Sequence, residues 1–145
     1  MVKAKDFWNC LCEKHDYRFF AGVICPGLVP LYKKMTGEIM HYVPAANERI
    51  ALGLVSGAYM SGFNGGILID MRFAYDLTNL FGFNIDFRIP FLVIGYGTSD
   101  SVLAYDFPTV LLKETTFEKN ISYIVKKINK EKVPGLIVIE EGMIQ

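Results

Sequence analysis

Two runs of four residues without a polar side chain, Phe91-Leu92-Val93-Ile94 and Leu136-Ile137-Val138-Ile139, limit the available folds more than any other feature. A strand with one face in water alternates apolar and polar residues. A strand apolar at every position must be covered on both faces, the condition of a parallel sheet between helical layers. The spacing predicts strands at residues 18–22, 38–43, 66–70, 91–94, 109–112 and 135–139. Helices are expected at 4–15, 28–35, 46–63, 73–82 and 117–130, the last with Phe117, Ile121, Ile124, Val125 and Ile128 at helical spacing. This alternation gives the α/β class: a single three-layer domain over residues 1–145, a parallel sheet with helices on both faces. The strand at 135–139 is expected to finish that domain and begin no other.

Charge and composition remove several function classes. Fifteen basic and fifteen acidic side chains give a formal charge of zero, so the attraction that nucleic acid or an anionic bilayer requires is missing. The hydrophobic fraction of 52% is high for a domain that must cover itself, and the excess is expected to be buried against other subunits. Residues 50–69 carry no charge and have the length of a membrane span, but Ser56, Ser61, Asn64, Gly65 and Gly66 place a turn near the end of that run. The first residues, Met1-Val2-Lys3-Ala4-Lys5-Asp6, contain no apolar core of a secretory signal, and a cytoplasmic location is expected. Cys10, Cys12 and Cys25 match neither a zinc knuckle nor a redox pair and are expected to be buried, reduced thiols. No Walker phosphate loop, His-Glu-x-x-His or Gly-x-Ser-x-Gly occurs. His15 is expected to cap the first helix as a cation, and His41 to pack in the core.

Ligands of such sheets lie beyond the carboxyl ends of the strands, which directs attention to four loops. The first is Ala21-Gly22-Val23-Ile24-Cys25-Pro26-Gly27, whose glycines let backbone approach a ligand or simply turn the chain. The second contains Asn47-Glu48, placing a carboxylate in the first turn of a helix that then runs almost uncharged. The third, Asp70-Met71-Arg72-Phe73-Ala74-Tyr75-Asp76, is rich in charge for the mouth of a buried strand. The fourth, Gly95-Tyr96-Gly97-Thr98-Ser99-Asp100, lacks the third glycine of a dinucleotide loop and is set aside. Gly53, Gly57 and Ser61 recur every four residues after Glu48, so one face of that helix is smooth enough for a second backbone to lie against it. A carboxyl desolvated at the head of such a contact is a useful proton donor near neutrality.

The stretch Ala45-Ala46-Asn47-Glu48-Arg49-Ile50-Ala51-Leu52-Gly53-Leu54-Val55-Ser56-Gly57-Ala58-Tyr59 resembles the Asn-Glu-x-x-Ala-x-x-x-Ala-x-Gly-Ala-Tyr helix of the pyrimidine-binding domain of thiamine diphosphate enzymes. Phe19-Phe20-Ala21-Gly22-Val23 and Phe87-Arg88-Ile89-Pro90-Phe91-Leu92-Val93-Ile94-Gly95 are similar to two strands of sulfopyruvate and phosphonopyruvate decarboxylases, nearest to their alpha subunit. The resemblance implies that Glu48 hydrogen-bonds the cofactor's aminopyrimidine and promotes its imino tautomer, with Gly22 and Val23 beside it. It implies a 2-oxo acid as substrate and decarboxylation as the reaction. A carboligase subunit, a non-catalytic interaction subunit of the same fold and an unrelated ligand-binding module are the alternatives. The family's Gly-Asp-Gly motif for magnesium and diphosphate is not in this chain. A diphosphate-binding beta subunit would hold Mg2+, and the site would form only in a hetero-oligomer.

Two departures bear on substrate. The decarboxylases carry Gly-Val-Pro-Asp-Ser where this chain has Gly22-Val23-Ile24-Cys25-Pro26-Gly27, which places Cys25 among candidate substrate contacts. They carry a polar Gln-Asn-Ser-Gly-Leu-Gly-Asn loop where this chain has residues 70–76. Arg72 there is expected either to bind an anionic group of the substrate or to form an ion pair with Asp70 or Asp76.

Overall fold

The computed structural model describes residues 1–72, 77–103 and 105–145. Six parallel strands form one sheet: β1 (Tyr17–Gly22), β2 (His41–Pro44), β3 (Asn64–Asp70), β4 (Leu92–Tyr96), β5 (Thr109–Leu111) and β6 (Gly135–Ile139), in the order β2-β1-β3-β4-β6-β5. The helices are α1 (Ala4–Trp8), α2 (Val29–Tyr32), α3 (Glu48–Met60), α4 (Leu77–Leu80), α5 (Gly82–Asp86) and α6 (Phe117–Glu131). The α/β architecture expected from the apolar runs is the one observed.

Successive residues of the central strands alternate between two separate cores. Leu68, Leu92, Ile94, Ile137 and Ile139 join Phe7, Trp8, Leu31, Ile124 and Ile128 on one face. Ile67, Ile69, Val93, Leu136 and Val138 join Ala51, Val55, Leu77, Phe81 and Phe107 on the other. With period-two geometry, a strand buried on both faces has no position for a polar side chain. On the first face Trp8 meets Phe7 and Phe20 edge to face and donates its indole N–H to the Leu31 carbonyl at 2.9 Å. On the second, Ser56 and Asn84 are buried as a pair, the Asn84 amide donating to Ser56 Oγ at 2.8 Å and Ser56 donating to the Leu52 carbonyl at 2.7 Å. Among the described residues every buried side-chain polar atom has such a partner.

Element ends depart from the sequence expectation where local geometry intervenes. The first helix becomes a π-helical turn over Asn9–Lys14. The helix expected at 28–35 is a 3-10 turn Pro26–Leu28 followed by one turn of α2. The strand expected from 38 starts at His41, because the N–H groups of Ile39 and Met40 both turn back to the Thr36 carbonyl. Helix α3 stops at Met60, where Gly62 adopts φ +93°, and β3 begins at Asn64. Of the helix expected at 73–82, residues 73–76 lie outside the described residues; α4 and α5 follow as two short pieces. The charge-free run 50–69 is thus divided between α3 and β3, and among the described residues no helix is long and apolar enough to cross a membrane.

The strand order creates the site. After β1 the chain moves outward to β2, then returns past β1 to β3, so the connections from β1 and β3 leave in opposite directions and open a crevice at their carboxyl ends. β1 and β3 come together very closely there: a Cβ built on Gly22 would stand 2.3 Å from the Leu68 carbonyl oxygen, which belongs to backbone and cannot turn aside. Gly22→Ala should therefore force β1 from β3 and cost about 1–3 kcal/mol, seen as a lower urea midpoint at unchanged slope; an unaltered midpoint would show that the strands separate freely.

Candidate functional site at the switch between strands

Three segments converge on the crevice. The loop after β1 carries Gly22, Val23, Ile24 and Cys25; the loop after β2 leads into α3; the end of β3 supplies Asp70 and Arg72. The first two are tied together by the Ala45 N–H, which donates to the Gly22 carbonyl at 2.8 Å. The Tyr42 hydroxyl donates to the same carbonyl at 3.3 Å.

Glu48 opens α3. Asn47 is in extended conformation, and its side-chain oxygen accepts the Ile50 N–H at 3.0 Å, a cap that fixes where the helix begins. Glu48 is half-buried in the first turn, where the helix dipole favours a carboxylate, and no other described group hydrogen-bonds or ion-pairs with it. Its position is the one the sequence indicated, while the cap at Asn47 was not anticipated, although Asn before an uncharged helical run is a recognisable start signal.

Cys25 is fully buried close to the Asp70 carboxylate. Burial first, and then the charge of Asp70, push the thiol up from its ordinary value. It therefore belongs to the packing of the loop. All three cysteines are free and buried, as expected, and burial pushes Cys12 up to about 12.

Arg72 forms the ion pair with Asp70 that was one of its two expected roles. Its Nε and Nη2 reach the two carboxylate oxygens at 2.9 and 2.6 Å, and its backbone N–H adds a bond of 3.0 Å. These bonds hold the Asp70 carboxyl below the usual range. The guanidinium lies 4.8 Å from the centroid of the Tyr96 ring. Tyr96 in turn presses on Gly27, where an added Cβ would fall 2.4 Å from ring carbons. Asp70, Arg72 and Tyr96 thus pin the distal end of the β1 loop. The sequence assigns Tyr96 no role within a loop that lacks the third dinucleotide glycine; the signal it carries is an aromatic residue ending an otherwise aliphatic strand.

The tyrosines Tyr32 and Tyr42, also unanticipated, hold the proximal end. Their rings meet edge to face at 5.5 Å. The Tyr32 hydroxyl donates to the Val23 carbonyl at 3.4 Å and accepts the Cys25 N–H at 3.3 Å. Burial pushes the Tyr32 phenol up, so it stays protonated as a donor.

Both histidines lie at the other end of the sheet. His41 starts the edge strand β2 and is exposed rather than packed in the core, because a strand at the sheet edge has an open side. His15 precedes β1 and meets Ser122 Oγ at 3.2 Å; burial, aided by Lys14 and Lys126, lowers its pKa, which disfavours the cation expected at a helix end. Among the described residues the outer face of α3 is open: a Cβ added to Gly53 or Gly57 would meet nothing within 4 Å. These glycines, with Arg49, Met60, Leu80 and Phe83, line a groove of about 390 Å³.

No family model matches the chain, and no curated protein matches it. Its fold is similar to part of a 2-oxoglutarate:ferredoxin oxidoreductase from Magnetococcus marinus, solved with 2-oxoglutarate, coenzyme A and succinyl-CoA bound. The TM-score is 0.70 at 20% sequence identity, covering 99% of this chain and 29% of that one. The chain therefore spans under a third of the length of that chain, and at this identity the likeness establishes a shared fold.

The Asp70 clasp has a definite pH signature. A carboxyl whose folded-state pKa is depressed stabilises fully above its unfolded-state value and loses that contribution as pH falls through the folded-state value. Asp70→Asn should unfold at lower temperature than the wild type from pH 7 down to about pH 5, the gap narrowing only below about pH 4. Equal midpoints at pH 7 would mean that the clasp adds nothing to stability.

Proposed function

We propose that this chain is the pyrimidine-binding unit of a thiamine diphosphate enzyme that acts on a 2-oxo acid. The observation that carries the reading is Glu48: a half-buried carboxylate with no partner among the described residues, fixed by a capped helix start beside the strand switch. A carboxylate with an ionic partner would have its capacity engaged; this one is available to a ligand. The sequence resemblance around Asn47-Glu48 and the fold likeness to a 2-oxo acid oxidoreductase support the same reading.

The residues present suit one half of such a cofactor. Glu48 would hydrogen-bond the aminopyrimidine and hold or return a proton at its carboxyl oxygen, while Gly22 and Val23 border the ring with backbone. When bound, thiamine diphosphate supplies the carbanion stabilisation that a 2-oxo acid needs to lose carbon dioxide. The Gly-Asp-Gly motif does not occur among these 145 residues, so the diphosphate and Mg2+ would be held outside them, a role this reading gives to a partner subunit. The smooth face of α3, flanked by exposed Ile50, Leu54, Met60 and Phe83, is the surface offered to that partner. Cys25 contributes through the loop it buries. Arg72 would contact a substrate anion only by sharing the guanidinium that Asp70 already holds. Simple decarboxylation, as in sulfopyruvate and phosphonopyruvate decarboxylases, is the first reading. The likeness to an oxidoreductase makes oxidative decarboxylation the second.

The test is to produce the chain alone and together with the product of the adjoining reading frame, supply thiamine diphosphate and magnesium, and follow carbon dioxide release from a panel of 2-oxo acids. Turnover is expected only in the pair. Glu48→Gln should assemble normally and lose about 10²–10⁴-fold in kcat, whereas a fully active variant would remove Glu48 from the mechanism.

A further inference from the structure

The loop after β1 is held at both ends, and between the two holds stands one unpacked side chain. Tyr32 bonds the carbonyl of Val23 and the N–H of Cys25, the residues on either side of Ile24. Cys25 is anchored in the interior. Gly27 lies under the Tyr96 ring. Yet Ile24 is 69% exposed, more than any other large apolar residue among those described. An isoleucine on a free loop could fold back onto the surface. This one is presented by a bracket that fixes the backbone on both sides, in the crevice where ligands of this topology bind.

The charges around it point the same way. Asp70 and Arg72 compensate one another through two side-chain hydrogen bonds, so an incoming anion would compete with a carboxylate already in place. The other groups of the loop, Val23, Ile24 and the buried Cys25, are apolar.

We infer that Ile24, presented by Tyr32, is the residue that selects the substrate's side chain, and that the enzyme takes 2-oxo acids with an uncharged, branched aliphatic substituent. This rests on the reading of the chain as part of a thiamine diphosphate enzyme. Ile24 is a specificity residue and Tyr32 a positioning residue that acts through it. A second carboxylate, sulfonate or phosphonate on the substrate would have to lie against Ile24 and, among the described residues of the mouth, share the Arg72 guanidinium with Asp70, a desolvation cost that a hydrocarbon does not meet.

The assembled enzyme would be compared on 4-methyl-2-oxopentanoate, pyruvate and 2-oxoglutarate. The wild type is expected to have its highest kcat/KM on the branched acid. Ile24→Ala should lower that value about tenfold or more, through KM, and change the value for pyruvate by less than about threefold, with thiamine diphosphate affinity unaltered. Tyr32→Phe should show the same pattern in weaker form. As a readout independent of turnover, Ile24→Cys adds an exposed thiol to a chain whose own three are buried. Its maleimide labelling in the complex should be slowed by 4-methyl-2-oxopentanoate and not by 2-oxoglutarate. Preference for 2-oxoglutarate, an unchanged substrate ratio in Ile24→Ala, or labelling blocked by the partner chain alone would each overturn the inference and leave the cofactor reading intact. Absence of thiamine diphosphate binding, or of turnover with any 2-oxo acid, would remove both.

Discussion

The close approach of the Gly22 and Leu68 backbones is the constraint on which the rest of this molecule depends. It draws β1 against β3 where the strand order reverses, and so determines how near the loops after those strands can come. Because β1 ends without a side chain, the chain leaves the sheet low enough for Cys25 to reach Asp70 on the neighbouring strand. The carbonyl of Gly22 then accepts from both Ala45 and Tyr42, which draws in the start of α3 from the other side. One missing methyl group thus brings three loops to a common mouth.

Polarity is rationed in this mouth. The sheet beneath is hydrocarbon on both faces, and polar groups that approach it come in matched sets: Asp70 with Arg72, Tyr32 with two backbone groups, Ser56 with Asn84. Pairing of this kind keeps the cost of burial low and makes geometry rigid, since each partner limits the rotamers of the other. Against that background, an acidic side chain that no described group engages stands apart. Glu48 is partly shielded from water, placed by an asparagine cap and left with its carboxylate open.

The parts of this arrangement visible in the sequence are those with a short period or a local signal. Phe91-Leu92-Val93-Ile94 announces a strand covered twice, and the run without charge from Ile50 announces its own amphipathic ambiguity. Invisible were features set by contacts between distant segments. Tyr32 and Tyr42 are ordinary aromatic residues until β1 and β2 lie side by side and bring both hydroxyls to one loop. Tyr96 is the end of a strand until Gly27 slides beneath it. The true start of β2 depends on where the turn at Thr36 releases the chain, which propensity does not record. Arg72 illustrates the intermediate case: its ion pair could be named as an option from proximity in sequence, but its stacking on Tyr96 requires β3 and β4 to be in register.

Helix α3 has a hidden cost that follows from its outer face. Gly53 and Gly57 occupy helix interior, and nothing among the described residues stands where their side chains would be. Each glycine in such a position forgoes about 1 kcal/mol of helical stability relative to alanine, so together they hold the helix about 2 kcal/mol short of what its own fold would permit. The fold gives no reason for that concession. A helix assembled for its own sake would have taken the two methyl groups; this one is smooth at the expense of its rigidity, and the isolated chain is expected to fray first along the element that carries Glu48.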